Sequence, residues 1–348
     1  PPPPPPPLFF KDYAAYRDSS TSRGLGDVYK RQIVLTMVVM VFGAYVRLTD
    51  AGLGCPDWPG CYGKLLVPAE KNLSADDQWL VQRPLEVGKA WREMIHRYLA
   101  SALGFGILCL AGITFYRRQT IGVNPSVAYC LVPLVMFQGA LGMWTVTLLL
   151  KPLIVTAHLL GGLITLSLLF WNTLQVKYLD VSVKVPNRLK MFVWFGLVTV
   201  FCQIFLGGWT STNYAALACT ELPTCGGKWF PSEQLGEAFT LWRGLGIDYE
   251  YGVLDTPARI SIHMVHRIGA VVTTIVLLLL IWRSITLGNS QIKKLAWVLL
   301  CVLTCQIFLG LMNIVGGLPI SVAVAHNGVG AILFLVLVTM LFFTRTSD

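Results

Sequence analysis

The stretch Gln-Gly-Ala-Leu-Gly-Met-Trp at residues 138–144, followed by His-Leu-Leu-Gly-Gly at 158–162, decides the fold because the chain contains a second version of it. Gln-Ile-Phe-Leu-Gly-Leu-Met lies at 306–312 and His-Asn-Gly-Val-Gly at 326–330, an offset of 168. Two more features recur in the same order: His96-Arg97 as His266-Arg267, and Cys55/Cys61 as Cys219/Cys225. Such self-similarity predicts two homologous halves.

The composition indicates a membrane protein. Of 348 residues, 55% are apolar and only 13% are charged, and the mean hydropathy is +0.62. Soluble proteins carry about 25% charged residues. The formal net charge of +9 does not indicate a nucleic-acid partner, because a chain this poor in charge cannot spread a basic face over a soluble core.

Apolar stretches long enough to cross a bilayer recur along the chain, since a spanning helix needs about 20 residues. They lie near 32–49, 96–116, 127–147, 152–174, 191–211, 260–282, 294–314 and 320–343. Short connections follow the second, fourth and sixth spans, and long polar loops follow the first and fifth. We therefore expect an all-α integral membrane protein with eight transmembrane helices arranged as two pseudo-symmetric four-helix bundles.

The domain boundaries follow from these spans. Residues 1–31 begin with seven prolines and have no signal-peptide h-region, so we treat them as a non-native or disordered tract. An N-terminal bundle at 32–174 then holds one site and a C-terminal bundle at 191–343 holds the other. A cytoplasmic linker at 175–190 joins them, and 344–348 form a cytoplasmic tail.

Positive charge predicts the orientation. The connections on the side of the N-terminus carry nine Lys and Arg residues, against seven in the much longer loops on the other side. The positive-inside rule therefore places both termini in the cytoplasm, or in an equivalent matrix, and the long loops outside.

Four of the five histidines lie near the outer ends of the even-numbered spans: His96, His158, His266 and His326. An ionisable residue inside a span is a functional candidate. Paired imidazoles in a four-helix bundle are typical axial ligands of a haem iron, so we expect one haem in each half. Zinc is a weaker alternative because it favours three or four clustered ligands, and a single histidine in a helix interface can serve packing alone.

The two halves differ one helical turn before the first ligand. Glu93 precedes His96 at the position where His263 precedes His266. A carboxylate on the same helix face as a haem ligand can relay protons or stabilise developing charge, which makes the first half the reactive one. The alternative is a glutamate in the first turn of a helix, favoured by the helix dipole.

Three arginines lie at the same outer level, namely Arg47, Arg97 and Arg267. They are candidate partners for haem propionates, with snorkelling to the interface as the alternative.

The nine cysteines divide between spans and outer loops. Cys55 and Cys61 form one outer pair and Cys219 and Cys225 another, each separated by five residues. On an oxidising face these pairs predict two disulfides, Cys55–Cys61 and Cys219–Cys225. Redox activity of one pair and a four-cysteine zinc site are the alternatives.

The segment from Arg47 to Gly63, with its Gly-Leu-Gly-Cys-Pro-Asp-Trp-Pro-Gly-Cys core, resembles the haem A synthases. So do Glu93-Met-Ile-His96-Arg97, Ala157-His158 and Ala325-His326-Asn-Gly. The paired outer-loop cysteines resemble the bacterial branch, and the resemblance runs over about 33–343.

This resemblance implies oxidation of the methyl group of haem O to the formyl group of haem A by successive hydroxylations, for assembly of haem-copper terminal oxidases. It implies that His96 and His158 hold the substrate haem, that Glu93 assists the chemistry, and that His266 and His326 ligate a resident haem b. The expected location is the bacterial cell membrane.

The expected partners are haem O, haem A, membrane lipid, haem O synthase, oxidase assembly factors and a second copy of the chain. The rival functions are a b-type cytochrome that exchanges electrons with quinone and a haem carrier without catalysis.

Overall fold

A computed structural model describes residues 20–69, 78–116, 126–178, 186–229 and 234–345. Residues 1–19 of the N-terminal tract lie outside this range, and so do residues 346–348 of the tail. Parts of two basic connections, 117–125 and 179–185, also lie outside it.

Eight long helices account for most of the described chain, and all eight are long and apolar enough to span a membrane. They are α1 (Ser20–Leu48), α2 (Val87–Tyr116), α3 (Ser126–Thr147), α4 (Pro152–Lys177), α5 (Asn187–Thr212), α6 (Thr256–Leu287), α7 (Ser290–Val315) and α8 (Ile320–Thr344). The expected all-helical membrane fold with eight spans is confirmed.

Local chemistry explains several helix starts. The Asp255 side chain accepts a hydrogen bond from the Ala258 N–H at 3.2 Å and caps α6. Asn289 caps α7 in the same way through the Ile292 N–H at 3.0 Å. Pro152 opens α4, where its missing N–H costs nothing. These caps satisfy backbone donors that have no partner within the helix.

Two helices begin earlier than the sequence pattern predicts. α1 starts at Ser20, inside the tract that we set apart, and the Tyr29 ring is buried with its hydroxyl 3.3 Å from the Asn172 amide nitrogen. The helix thus begins before residue 31, and the assignment of residues 1–31 as a non-native or disordered tract stays a prediction. α2 starts at Val87, before the apolar run itself, because a buried stripe including Ala90 and Met94 packs the polar first turns against the outer loop.

The helices pack in two closed rings. α1, α2, α3 and α4 contact one another in chain order, and α4 returns to α1. α5, α6, α7 and α8 repeat this order, and α8 returns to α5. The rings meet where α8 contacts α1 and α4 and where α4 contacts α5. α8 is thus the most buried helix, surrounded by partners from both halves.

The two outer loops each contain a short helix, at Gln78–Gln82 and Leu235–Ala238. The two loops contact each other across the outer face. Arg83 of the first loop forms ion pairs with Asp248 of the second loop, at 2.8 Å, and with Glu250. The Tyr249 N–H also donates to the Leu149 carbonyl oxygen at 3.0 Å. Contacts between segments this distant in sequence fix the outer ends of the two rings relative to each other.

Candidate haem sites

The structure brings the four histidines together as two pairs. His96 and His158 lie in one ring of helices, and His266 and His326 lie in the other. The first pair projects from α2 and α4, and the second from α6 and α8. The earlier start of α2 places His96 in the third turn of its helix rather than at the helix opening.

A glycine on the preceding helix faces each histidine ring. A methyl group added at that glycine would lie 2.8 Å from the His96 ring at Gly43, 3.5 Å from the His158 ring at Gly142, 3.3 Å from the His266 ring at Gly207 and 3.2 Å from the His326 ring at Gly310. The missing side chain therefore lets each imidazole approach a helix backbone closely. These four glycines were not among the residues predicted from the sequence.

Three glutamines lie one turn before three of these glycines. The Gln138 amide donates to the His158 carbonyl oxygen at 3.0 Å, and the Gln203 amide donates to the His266 carbonyl oxygen at 3.0 Å. The glycines on the histidine helices make room for these amides, since a methyl group at Gly161 or Gly269 would collide with Gln138 or Gln203. The repeated Gln-x3-Gly spacing in α3, α5 and α7 is a signal that was available in the sequence.

The donor set of each pair fits a haem iron. The ring atom Nδ1 is buried without a hydrogen-bond partner in His96, His158 and His326 among the described residues. Buried polar atoms normally have a hydrogen-bond partner. Imidazoles without one therefore fit a site in which the ring binds a haem iron. Within the described chain, no group of three or more His, Cys, Asp or Glu side chains gathers to hold a metal ion. The two histidines of each pair could together ligate a haem iron.

Glu93 is buried one turn further out than His96. One carboxylate oxygen accepts the Cys55 N–H at 2.8 Å, and the other forms an ion pair with Arg97. Because α2 begins at Val87, Glu93 lies in the second turn, which removes the explanation by a first-turn dipole preference. The carboxylate thus joins the ligand helix to the outer loop.

The counterpart of Glu93 in the second half makes a different contact. His263 is buried, and its Nδ1 donates to the Ala215 carbonyl oxygen at 2.9 Å. Both side chains therefore hold the loop that follows the first helix of their half. The carboxylate accepts a hydrogen bond from that loop, while the imidazole donates one.

The three outer arginines all bind protein acceptors. Arg97 donates to the carbonyl oxygens of Asp57, Pro59 and Gly60, and Arg267 donates to those of Cys219 and Glu221. Each of these two guanidinium groups thus forms hydrogen bonds with the disulfide loop of its own half. Arg47 donates to the Ser211 carbonyl oxygen at 2.6 Å and stacks on the Tyr214 ring. A contact with propionates stays a prediction for all three.

Both expected disulfides, Cys55–Cys61 and Cys219–Cys225, are present. Each is followed by a matching backbone bridge, between Cys61 and Lys64 in one half and between Cys225 and Lys228 in the other. The first disulfide is completely buried beside Glu93. Redox activity of one pair stays an untested alternative.

Comparison with known proteins places this arrangement in a family. Residues 31–338 match the family model COX15-CtaA, described as cytochrome oxidase assembly protein. A protein of Shewanella oneidensis named Heme A synthase is 45% identical over 314 residues, which cover 89% of this chain and 94% of that protein.

More distant relatives have the same name. Proteins named Heme A synthase from Sphingopyxis alaskensis and Paracoccus denitrificans are 26% and 24% identical, over 86% and 88% of this chain and 86% and 83% of their own lengths. The match to the family model spans all eight helices apart from the ends of the first and the last. The chain belongs to the COX15-CtaA family of cytochrome oxidase assembly proteins.

Proposed function

We propose that this protein is a haem A synthase that oxidises the methyl group of haem O to the formyl group of haem A by successive hydroxylations, for the assembly of haem-copper terminal oxidases. The observation that carries the proposal is the 45% identity to the Shewanella oneidensis protein of that name along nearly its whole length. The two buried pairs of histidines support it independently, because the reaction needs a haem as substrate and a second redox centre accounts for the other pair.

The proposed sites divide between the halves. His96 and His158 hold the substrate haem in the N-terminal bundle, and His266 and His326 hold a resident haem b in the C-terminal bundle. The two closed helix rings support this division into domains at about 32–174 and 191–343. The difference between Glu93 and His263 supports the assignment of the reactive site to the first half.

A haem bound at the second pair supplies electron transfer, and the protein supplies positioning and proton handling. Glu93 lies on the same face of α2 as His96, because residues three apart are neighbours on a helix. Its carboxylate is held by the Cys55 N–H and by Arg97, so it is oriented before substrate enters. In this position it can accept a proton or stabilise positive charge at the substrate. The buried surroundings exclude water and strengthen such interactions.

Location and partners follow from the same proposal. Both termini lie in the cytoplasm and the disulfide loops lie on the oxidising face of a bacterial cell membrane, which agrees with the excess of Lys and Arg in the inner connections. Haem O synthase and oxidase assembly factors are the expected protein partners, since haem is hydrophobic and is best handed over within the membrane.

Haem analysis of the purified protein tests the proposal. The protein is expressed in cells that make haem O, extracted in detergent, and its haem is identified by pyridine haemochrome spectra and chromatography. We expect haem b together with haem O, haem A or a hydroxylated intermediate. Haem b alone, with no formyl haem in the cells, would indicate a b-type cytochrome. Unmodified haem O without haem b would indicate a carrier.

A further inference from the structure

Three of the four facing helices carry the same pair of residues. A glutamine lies four positions before the glycine that faces a histidine, in Gln138/Gly142, Gln203/Gly207 and Gln306/Gly310. Four positions correspond to about one helical turn, so both residues lie on the face that meets the histidine helix. In α1, the equivalent of the glutamine is Val39, one turn before Gly43.

The glutamine amides reach the histidines themselves. Gln203 Nε2 lies 3.0 Å from His266 Nδ1 as well as 3.0 Å from its carbonyl oxygen. Gln306 Nε2 lies 3.4 Å from Nε2 of His326, whose Nδ1 is buried without a partner among the described residues. The amide oxygen Oε1 of Gln138, Gln203 and Gln306 is buried and has no hydrogen-bond partner in the described chain. A buried acceptor without a donor costs about 1–3 kcal/mol.

Metal ligation changes what each ring offers. An imidazole that binds iron through one nitrogen carries its proton on the other, and that N–H needs an acceptor, which also fixes the ring orientation. Rotation of the Gln203 amide presents Oε1 instead of Nε2 to the ring. The His266 carbonyl oxygen then keeps its partner within α6. Rotation thus pairs Oε1 with the ring N–H and, in exchange, moves Nε2 away from the His266 carbonyl oxygen.

We propose that Gln203 and Gln306 are positioning residues that accept a hydrogen bond from the haem-ligating imidazoles of His266 and His326. His96 lacks this partner, because Val39 belongs to an apolar cluster with Leu103 and Ile107. The resident haem is thus held by two hydrogen-bonded imidazoles, whereas the hydrogen bond of Gln138 goes to the main-chain carbonyl oxygen of His158. This inference rests on the proposed function, since it requires haem at the second pair.

The competing explanation is that the glutamines only join neighbouring helices. An acceptor for the ligand N–H increases electron donation to the iron and favours its oxidised state, whereas a helix contact does not. The midpoint potential of the resident haem therefore separates the two explanations. Gln32 in α1 is a matched control, because its Oε1 is also buried without a partner, but its amide lies against Gly106.

The experiment uses the full-length protein in detergent, with Gln203→Met, Gln306→Met and the control Gln32→Met. Haem b per polypeptide is measured by pyridine haemochrome, and the midpoint potential by redox titration. We expect Gln203→Met and Gln306→Met to retain haem b and to have a more positive midpoint potential than the unaltered protein. The control Gln32→Met should have the same haem content and midpoint potential as the unaltered protein. Midpoints of Gln203→Met and Gln306→Met that coincide with the unaltered protein, or an equal shift in Gln32→Met, would overturn the proposal.

If Gln203→Met loses its haem, its midpoint cannot be measured. The variant Gln203→Glu then tests the proposal, because glutamate keeps an oxygen acceptor at the same place. Recovery of haem with a more negative midpoint is the expected result, and absence of haem from both Gln203 variants, with helicity retained, overturns the proposal. Failure of the proposed function is distinct, because the unaltered protein would then contain no haem b.

Discussion

The Glu93 carboxylate accepts the backbone N–H of Cys55 at 2.8 Å, so the candidate reactive side chain is attached directly to one end of a disulfide. Arg97 completes the connection, because it pairs with Glu93 and also donates to carbonyl oxygens between the two cysteines. The conformation of the outer loop and the orientation of the carboxylate are therefore coupled.

Replacing Glu93 with Gln tests its chemical role while keeping an acceptor for the Cys55 N–H. We expect haem A formation to fall about 100-fold or more, the usual range for losing a general acid or base, while haem b is retained. Reduced-minus-oxidised spectra and extracted haem measure the two outcomes. Glu86→Gln, which changes an exposed glutamate of the same loop, should behave like the unaltered protein. Undiminished haem A in Glu93→Gln cells would refute a catalytic carboxylate.

Removing the first disulfide tests the coupling to the loop. Closure of so short a loop constrains the unfolded chain by about 2 kcal/mol. In the double variant Cys55→Ser/Cys61→Ser, we expect haem A formation to fall while haem b is retained, because Glu93 loses its fixed donor.

The equivalent change Cys219→Ser/Cys225→Ser is the matched control, because His263 is held by the Ala215 carbonyl oxygen instead of a cysteine N–H. We expect it to affect thermal stability more than haem A formation. The same loss of haem A formation in both double variants would contradict a specific link between Glu93 and the first disulfide.

Added methyl groups at the glycines facing the histidines should have graded effects. In Gly43→Ala, the new methyl group lies 2.8 Å from the His96 ring, which must move, at a cost of about 1–3 kcal/mol. We expect loss of haem O binding with haem b retained. Gly142→Ala, at 3.5 Å from His158, should be tolerated, and Gly139→Ala, with open space around it, is the control. Haem content per polypeptide measures the effect, and a normal haem O content in Gly43→Ala would be the contrary result.

Tyr214 provides a pH-dependent contact between the halves. Its hydroxyl donates to Asp50 at 2.9 Å, and burial, reinforced by Asp50 and opposed by Arg47, raises the pKa of Tyr214. A raised pKa means that the neutral phenol stabilises the fold. This stabilisation is complete below the unfolded pKa of about 10 and is lost as the pH rises through the folded value.

Thermal unfolding in detergent as a function of pH checks this expectation. The Tm of the unaltered protein should fall more steeply above a pH of about 10 than the Tm of Tyr214→Phe, which has no phenol to ionise. Tyr116→Phe serves as the control, because Tyr116 is an exposed tyrosine outside this contact. Parallel Tm curves for the unaltered protein and Tyr214→Phe would exclude the contribution.

Much of this architecture was predictable from local patterns. Hydropathy identified eight spans because each must cover the same hydrocarbon thickness. The internal repeat showed that Glu93 occupies the position that His263 occupies in the second half. The pairing of the cysteines was also correct, since each pair is close in sequence. The Gln-x3-Gly spacing was present in the quoted repeat, but its meaning depends on which helix face meets a histidine.

The sequence by itself determined the helices, the two-fold repetition and the histidines, because these depend on composition and on spacing along one chain segment. Only the tertiary structure decided the start of α2, the acceptors of Arg97 and Arg267, and the contact of Tyr214 with Asp50. These features join residues that are far apart in the chain or depend on which buried groups need a partner. Hydropathy along the sequence does not predict these hydrogen-bond partners, because a buried polar group pairs with whichever group the fold brings within hydrogen-bonding distance.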